Sequence, residues 1–317
     1  MHGRLPTGGA RARPGSALGP AARPDPLSRS RLATFRAGRY NARALTERRG
    51  LKVSSNEPIL RLRGINKSFG PVNVLKGVDF EARSGEVTAL VGDNGAGKST
   101  LVKCIGGTYS IDSGDYLFDG QSIRVNSPKD ASAHGIEIVY QDLALCENLD
   151  IVQNMFLGRE LITKRSRTLD ESTMERMAGE ALASLSVRTV KSVRQKVSSL
   201  SGGQRQSVAI AKSVLWNSKV VILDEPTAAL GVAQTAEVLR LVRDLADKGV
   251  AVILISHNMN DVLHVADRIA ALYLGQMAAI VDRSAVTQTQ IVELITAGRS
   301  GDLGLTGSTL STNGAAA

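Results

Sequence analysis

Residues Gly92-Asp93-Asn94-Gly95-Ala96-Gly97-Lys98-Ser99-Thr100 have the form G-x-x-x-x-G-K-[ST]. Each residue type in that pattern has a chemical use. Glycines without side chains let backbone N–H groups close around phosphate oxygens, the lysine neutralises β- and γ-phosphate charge, and Ser99 is placed to ligate Mg2+. A chance Gly-rich turn would show the same letters. This one follows the apolar run Val87-Thr88-Ala89-Leu90-Val91 and precedes a helical pattern starting near Lys98, whose positive dipole end favours an anion. A nucleoside triphosphate is the implied ligand.

A second group closes another apolar run. Val220-Val221-Ile222-Leu223 ends in Asp224-Glu225. In phosphate-loop proteins the first acid after such a strand holds Mg2+, and the next is placed to act as general base on an attacking water. Two solvated acids at a strand end are the plainer reading, and Pro226-Thr227 fits an abrupt loop under either. Between the two groups lies Leu200-Ser201-Gly202-Gly203-Gln204, followed by a helical stretch to Leu215. By itself this is one more helix N-terminus suited to an anion.

A phosphate loop, then LSGGQ, then an apolar strand ending Asp-Glu resembles the ATP-binding subunit of an ABC transporter, over about residues 57 to 298. The resemblance implies ATP and Mg2+ as ligands. It further implies that Ser201, Gly202, Gly203 and Gln204 meet the γ-phosphate of ATP bound to a partner, so that two chains, as a homodimer or with a related subunit, sandwich two nucleotides. Gln141 matches the glutamine that senses Mg2+ and couples to a transmembrane partner, and His257 the switch histidine at the γ-phosphate. Phe69, 29 residues before Lys98, matches the aromatic that stacks on adenine; from the residues alone it is equally a hairpin core residue. Trp216, Tyr140 and His134 read as packing residues. One departure stands out: where the family has an Asp shortly after Glu-Pro-Thr, Ala228-Ala229-Leu230 is followed by Gly231, which bears on how two sites would communicate.

Tyr140-Gln141-Asp142-Leu143-Ala144-Leu145, the stretch Glu147 to Glu160 and Ser256-His257-Asn258-Met259-Asn260-Asp261-Val262 are similar to sugar importers of the ribose, xylose and fructose type. Many of those join two ATPase domains in one chain; this chain has one. The implied role is to energise import of a monosaccharide through separate membrane permease subunits, on the cytoplasmic face of the cell membrane, with a periplasmic or extracellular sugar-binding protein as an indirect partner. The sugar itself would not touch this chain.

The elements that must position these groups follow from periodicity. Leu60, Leu62, Val72, Val74, Val78, Phe80 and Ala82 alternate with polar residues, which predicts antiparallel structure with one buried face, and Asp115 to Val125 predicts a second hairpin about Asp119-Gly120. Four apolar runs (87–91, 136–140, 220–223 and 250–256) lack alternation, as in a parallel sheet covered on both faces, and ligands in such sheets lie beyond the carboxyl ends of the strands. Val238, Leu241, Val242 and Leu245 form a helical stripe stopped near Gly249; Ile151–Leu157 and Glu171–Leu185 read as helices of an insertion. The predicted fold class is α/β: a P-loop NTPase (ABC ATPase) core with an antiparallel β subdomain and an inserted helical subdomain at about 142–200. The predicted boundaries are 1–55 for a basic tail, 56–298 for the ATPase domain and 299–317 for a flexible tail.

The chain's net charge is +9, yet residues 1–50 alone hold 11 Arg against Asp25 and Glu47, so the remainder is neutral and makes no case for nucleic acid. Three readings compete for the basic segment: an anion-binding arm, an organellar transit peptide, or translation really starting near Leu51 or Val53. Cys104 and Cys146 are isolated and fit a reducing compartment. The longest apolar stretch, Ile269 to Val281, is shorter than the ~18–20 residues that span a bilayer. Two other functions share these motifs. One is a subunit serving a non-sugar solute or an exporter. The other is a soluble ABC ATPase acting on ribosomes or DNA, which a neutral folded part and a single ATPase domain disfavour.

Overall fold

The computed structural model describes residues 57–163, 166–187 and 189–301, and the basic segment and most of the C-terminal tail lie outside them. Strands β1 (Leu60–Phe69) and β2 (Val72–Ala82) pair antiparallel, and β1 also pairs β4 (Ser113–Phe118), which turns at Asp119-Gly120 into β5 (Gln121–Ser122). Leu62 faces Phe80 on one side and Tyr116 on the other, so alternate residues supply one buried face. The predicted alternation slips in one place. Register shifts about Ile65 and Lys67 bring Leu75, not Val74, fully into the core, and Val72 is left 58% exposed. Gly64 and Gly77, at φ +59° and +64°, carry the irregularity.

The larger sheet has the order β10-β9-β3-β8-β7-β6. Its strands β3 (Val87–Gly92), β6 (Ile136–Val139), β7 (Val220–Asp224), β8 (Ala251–Ile255) and β9 (Arg268–Tyr273) run parallel. The exception is β10 (Gln276–Asp282), which returns antiparallel along β9. The apolar run 269–281 is thus a hairpin turning at Leu274-Gly275, and none of the described helices is long and apolar enough to cross a membrane. All five residues of β8 are buried, because helices or the other sheet cover both faces.

Helix α1 (Lys98–Ile105) lies in the main core, its Leu101, Val102 and Ile105 packed among Leu60, Leu62 and Phe80 of the small sheet and Ile222 and Ile253 of the large one. A charged cluster also ties the sheets: Glu81 on β2 accepts Arg268 of β9 at 2.5 Å and Arg83 at 2.9 Å. The short α2 (Pro128–Ala133) precedes β6. In the insertion, α3 (Ile151–Phe156), α4 (Glu171–Ser184) and α5 (Gly202–Val214) pack on one another. Helices α6 (Val232–Asp247), α7 (Met259–Val265) and α8 (Gln288–Ala297) follow. The predicted stripe of α6 is buried and Gly249 ends it at φ +86°. Trp216 meets Phe156 edge-on at 5.5 Å and lies under Arg159, a packing role as expected.

Asn154 on α3 is wholly buried, and it organises the loop that follows Gln141. Its Oδ1 accepts the Cys146 N–H at 2.7 Å, while its Nδ2 donates to the carbonyls of Cys146 and Asp150, each at 2.9 Å. Truncating it would orphan the part-buried Cys146 N–H, while the two carbonyls keep the backbone N–H groups of Leu149 and Asn154. Asn154→Ala should therefore cost about 2 kcal/mol of stability, seen as a lowered midpoint in urea with an unchanged slope.

Candidate active site

The loop between β3 and α1 owes its shape to three glycines. A Cβ on Gly92 would stand 2.5 Å from the Leu272 carbonyl oxygen, and Gly95 and Gly97 hold φ +82° and +106°, where side chains are strained. Gly97 caps α1 with no side-chain bond, so the N–H groups of the first turn point outward unpaired by any cap. The β9–β10 hairpin supports the loop from outside: the Gly275 N–H donates to Ala96 O at 2.9 Å, and Gly275 O accepts Lys76 N–H at 2.8 Å. Lys98 Nζ donates to Gly92 O at 2.7 Å and Asp93 O at 3.1 Å, lying back across its own loop.

Asp224 ends β7 opposite Ile255 in the neighbouring strand, and Glu225 follows with its N–H bonded to Ile255 O at 3.0 Å. Burial pushes the Asp224 carboxyl above its ordinary range, the Glu225 charge adds to that, and Lys98 and Lys103 oppose it. Burial likewise lowers Lys98, against the pull of Glu225, Asp93 and Asp224. The loop lysine and the strand-end acids thus form one half-buried electrostatic unit. Glu225 sits at φ +50°, an uncommon conformation for a side chain of its size. Its Oε2 lies 2.7 Å from His257 Nδ1, and the Glu225 side chain is 16% exposed against 77% for His257. Two residues further, the Thr227 hydroxyl donates to Asp261 Oδ2 at 2.7 Å.

Of the residues singled out from sequence, the structure therefore brings together the loop 92–100, Asp224, Glu225 and His257. Gln141 lies exposed just past the end of β6, beside β7. Phe69 stands at the end of β1, 42% exposed and so outside the hairpin core, with the edge of Tyr109 at 5.0 Å and the Lys67 ammonium 5.4 Å from its ring centre. Ser201, Gly202, Gly203 and Gln204 do not join the loop. Ser201 caps α5, exchanging bonds with Gln204 in a capping box, and Gln204 Nε2 donates to Thr189 O at 2.6 Å. Cβ atoms added to Gly202 and Gly203 would meet Leu230 at 3.3 Å and Gln234 at 3.1 Å. The segment therefore packs against the start of α6, where Gly231 is the cap and Val232 is 91% exposed.

Sequence reasoning missed Tyr109, Thr227, Asp261 and the Gly275 hairpin tip. The partners of each lie far along the chain, and only the acid in the first turn of α7 left a local trace.

A phosphate loop set between a buried parallel strand and a helix, with two acids at a neighbouring strand end, defines a P-loop nucleotide-hydrolysing domain. The family model described as ABC transporter matches residues 75–228. The chain is 44% identical to the fructose import ATP-binding protein FrcA of Rhizobium meliloti, over 76% of this chain and 95% of that protein. It is 43% identical to the xylose/arabinose import ATP-binding protein XylG of Sulfolobus acidocaldarius, over 78% and 97%. Among solved structures, a nucleotide-free ATP-binding cassette from an ABC transporter aligns with TM-score 0.63 at 27% identity, covering 71% of this chain and 92% of that one. A dimeric post-hydrolysis cassette bound to ADP and Pi aligns with TM-score 0.58 at 25% identity, covering 71% and 98%. The chain belongs to the ABC transporter family as an ATP-binding subunit, and it is an ATPase.

Because its folded pKa is raised, Asp224 favours folding only while protonated; that advantage is complete below the ordinary aspartate range and is lost as pH rises through the folded value. Asp224→Asn should therefore raise the thermal midpoint of the nucleotide-free protein at pH 7.5, with the gain shrinking toward pH 4. A midpoint at pH 7.5 equal to or below that of the parent would contradict this account of the site.

Proposed function

We propose that this subunit energises import of a carbohydrate, a monosaccharide by class, through a separate membrane permease. The supporting observation is its 44% and 43% identity, over nearly the whole length of each, to proteins named for fructose and for xylose/arabinose import. In this reading it works at the cytoplasmic face of the cell membrane, with an extracytoplasmic sugar-binding protein as an indirect partner.

The residues present fit Mg2+. Asp224 carries a charge that its surroundings disfavour, which a cation would relieve, and the Ser99 hydroxyl adds a hard oxygen donor. Mg2+ is commonly held by one or two carboxylates together with neutral oxygens and phosphates, and Asp224 supplies such a carboxylate here. Ser99, Asp224 and Gln141 would hold it, and it would supply charge neutralisation across the β- and γ-phosphates.

The chain's own groups do the rest. Backbone N–H groups of residues 92 to 97 and the open first turn of α1 wrap the phosphates, Lys98 turns from its loop carbonyls to phosphate oxygens, and Thr100 extends the loop's polar lining. Phe69 offers an exposed face to the adenine ring, braced by Tyr109. Glu225 accepts a proton from the attacking water while His257, bonded to the same carboxylate, contacts the γ-phosphate. Ser201 to Gln204 complete the site of a second copy, so ATP binding closes a homodimer with two shared sites. The insertion beyond Gln141 docks the permease and passes on closure. ATP can drive that change only by binding the closed form more tightly than the open one.

Glu225→Gln, which keeps shape and removes the base, should lower ATP turnover by about 100-fold or more while the protein still binds ATP and accumulates as a dimer. Retained turnover would reject Glu225 as base. In cells, the same variant should abolish uptake of one labelled pentose or hexose from a panel; uptake of every sugar at parental levels would remove the carbohydrate assignment and leave the ATPase reading intact.

A further inference from the structure

Asp261 is a carboxylate in an unusual position. It is 6% exposed, in the first turn of α7, yet the N-terminus of that helix is already capped by Asn258, whose side chain accepts the Asn260 N–H at 3.0 Å. Burying an acid without a partner is costly. The partner here is the Thr227 hydroxyl at 2.7 Å, 34 residues earlier in the chain and two residues beyond Glu225.

The turn after β7 and the turn after β8 are thereby joined twice. One link runs from Glu225 Oε2 to His257 Nδ1 at 2.7 Å, and the other from Thr227 Oγ1 to Asp261 Oδ2 at 2.7 Å. The links differ in setting. His257 is 77% exposed on its side chain, so the first bond competes with water. The second is shielded and touches no reacting atom. The turn that carries both links is also strained, with Glu225 at φ +50° and, two residues beyond Thr227, Ala229 at φ +61°. A strained turn keeps its shape only where its surroundings over-determine it.

We propose that Asp261 and Thr227 form a buried clamp that positions the Glu225 carboxylate relative to His257. The clamp holds the turn in its left-handed conformation whether or not His257 keeps its bond to Glu225. Asp261 and Thr227 are positioning residues: they act through Glu225 and contact neither ATP nor water in the reaction. The proposal rests on Glu225 being the general base.

The test is steady-state ATPase of the full chain with paired substitutions. Thr227→Val, equal in shape without the hydroxyl, should lower kcat about ten-fold, since misplacement of a catalytic group by an ångström costs up to about 100-fold. KM for ATP should stay within about two-fold, because the phosphate loop is untouched. Thr227→Ser, which restores the hydroxyl, should return kcat to within about two-fold of the parent. Asp261→Leu should match Thr227→Val, and the double variant should fall no further than either single one, because both break the same bond. Thermal unfolding of each variant identifies any that does not fold, and the Asp261→Leu and Asp261→Asn pair then decides, with Asn keeping an acceptor for Thr227 and activity near the parent.

The clamp is refuted if Thr227→Val keeps parental kcat, if KM rises as far as kcat falls, if Ser fails to rescue, or if the two single losses multiply. Glu225→Gln measured alongside separates the two ideas. Loss of turnover there with no effect of Thr227→Val sinks the clamp alone, whereas retained turnover in Glu225→Gln sinks the base assignment on which it stands.

Discussion

The arrangement depends on keeping two adjacent carboxylates at the end of a strand buried on both faces. The four residues Val220, Val221, Ile222 and Leu223 of β7 are fully buried between neighbours β6 and β8, so the position of Asp224 is set by the middle of the sheet rather than by a loop. Burial and the neighbouring Glu225 charge both disfavour an ionised Asp224. The Lys98 charge opposes that while losing solvation itself. The protein thus maintains a locally unfavourable concentration of charge whose natural relief is a bound cation and a polyphosphate. Such sites are often less stable than their surroundings would allow, because their geometry is set for a ligand.

The two helix N-termini proposed to bind phosphate are built differently, and the difference fits the separate tasks proposed for them. At α1, Gly97 offers no side-chain oxygen, and the first-turn N–H groups are left for an anion carried by the same chain. At α5, Ser201 spends an oxygen lone pair on the Gln204 N–H, and Gln204 reaches back to the Ser201 N–H. Accepting a bond leaves the serine hydroxyl hydrogen free to donate. The α5 terminus is therefore self-supporting, while the α1 loop is shaped by glycine geometry and by the hairpin tip at Gly275.

What the sequence made legible was what is local. The unalternating strands, the phosphate loop and the acid pair each occupy a few consecutive residues, and the covering of those strands on both faces follows from their unbroken apolar runs. The predicted register of the small sheet failed at Val74 because glycines at 64 and 77 permit bulges that shift alternation by one residue, and a one-residue slip changes which face is buried. The stretch 269–281 showed only its apolarity. Its hairpin depends on Leu274-Gly275 adopting positive φ, and its value to the site depends on contacts with Ala96 and Lys76, almost 180 and almost 200 residues earlier. The role of Asp261 was hidden for the same reason: an acid in a first helical turn is an ordinary trace, and only the fold places Thr227 against it.

The replacement at Gly231 can be weighed on these terms. As a cap of α6, glycine costs only a few tenths of a kcal/mol relative to Asp or Ser, so the missing acid is not a stability matter. It removes a charge from a turn whose other end carries Glu225. What remains at that place is apolar: Val232 is 91% exposed, and Leu230 lies against Gly202 of the Ser201 segment. The turn bearing the general base of one proposed site therefore touches, within the same chain, the segment that would complete the other. In the proposed dimer, with no acid at position 231, coupling between the two sites would run through that packing. Packing contacts of this kind change little with ionic strength, whereas an interfacial charge pair is screened by salt, so communication between sites should be insensitive to salt in this subunit.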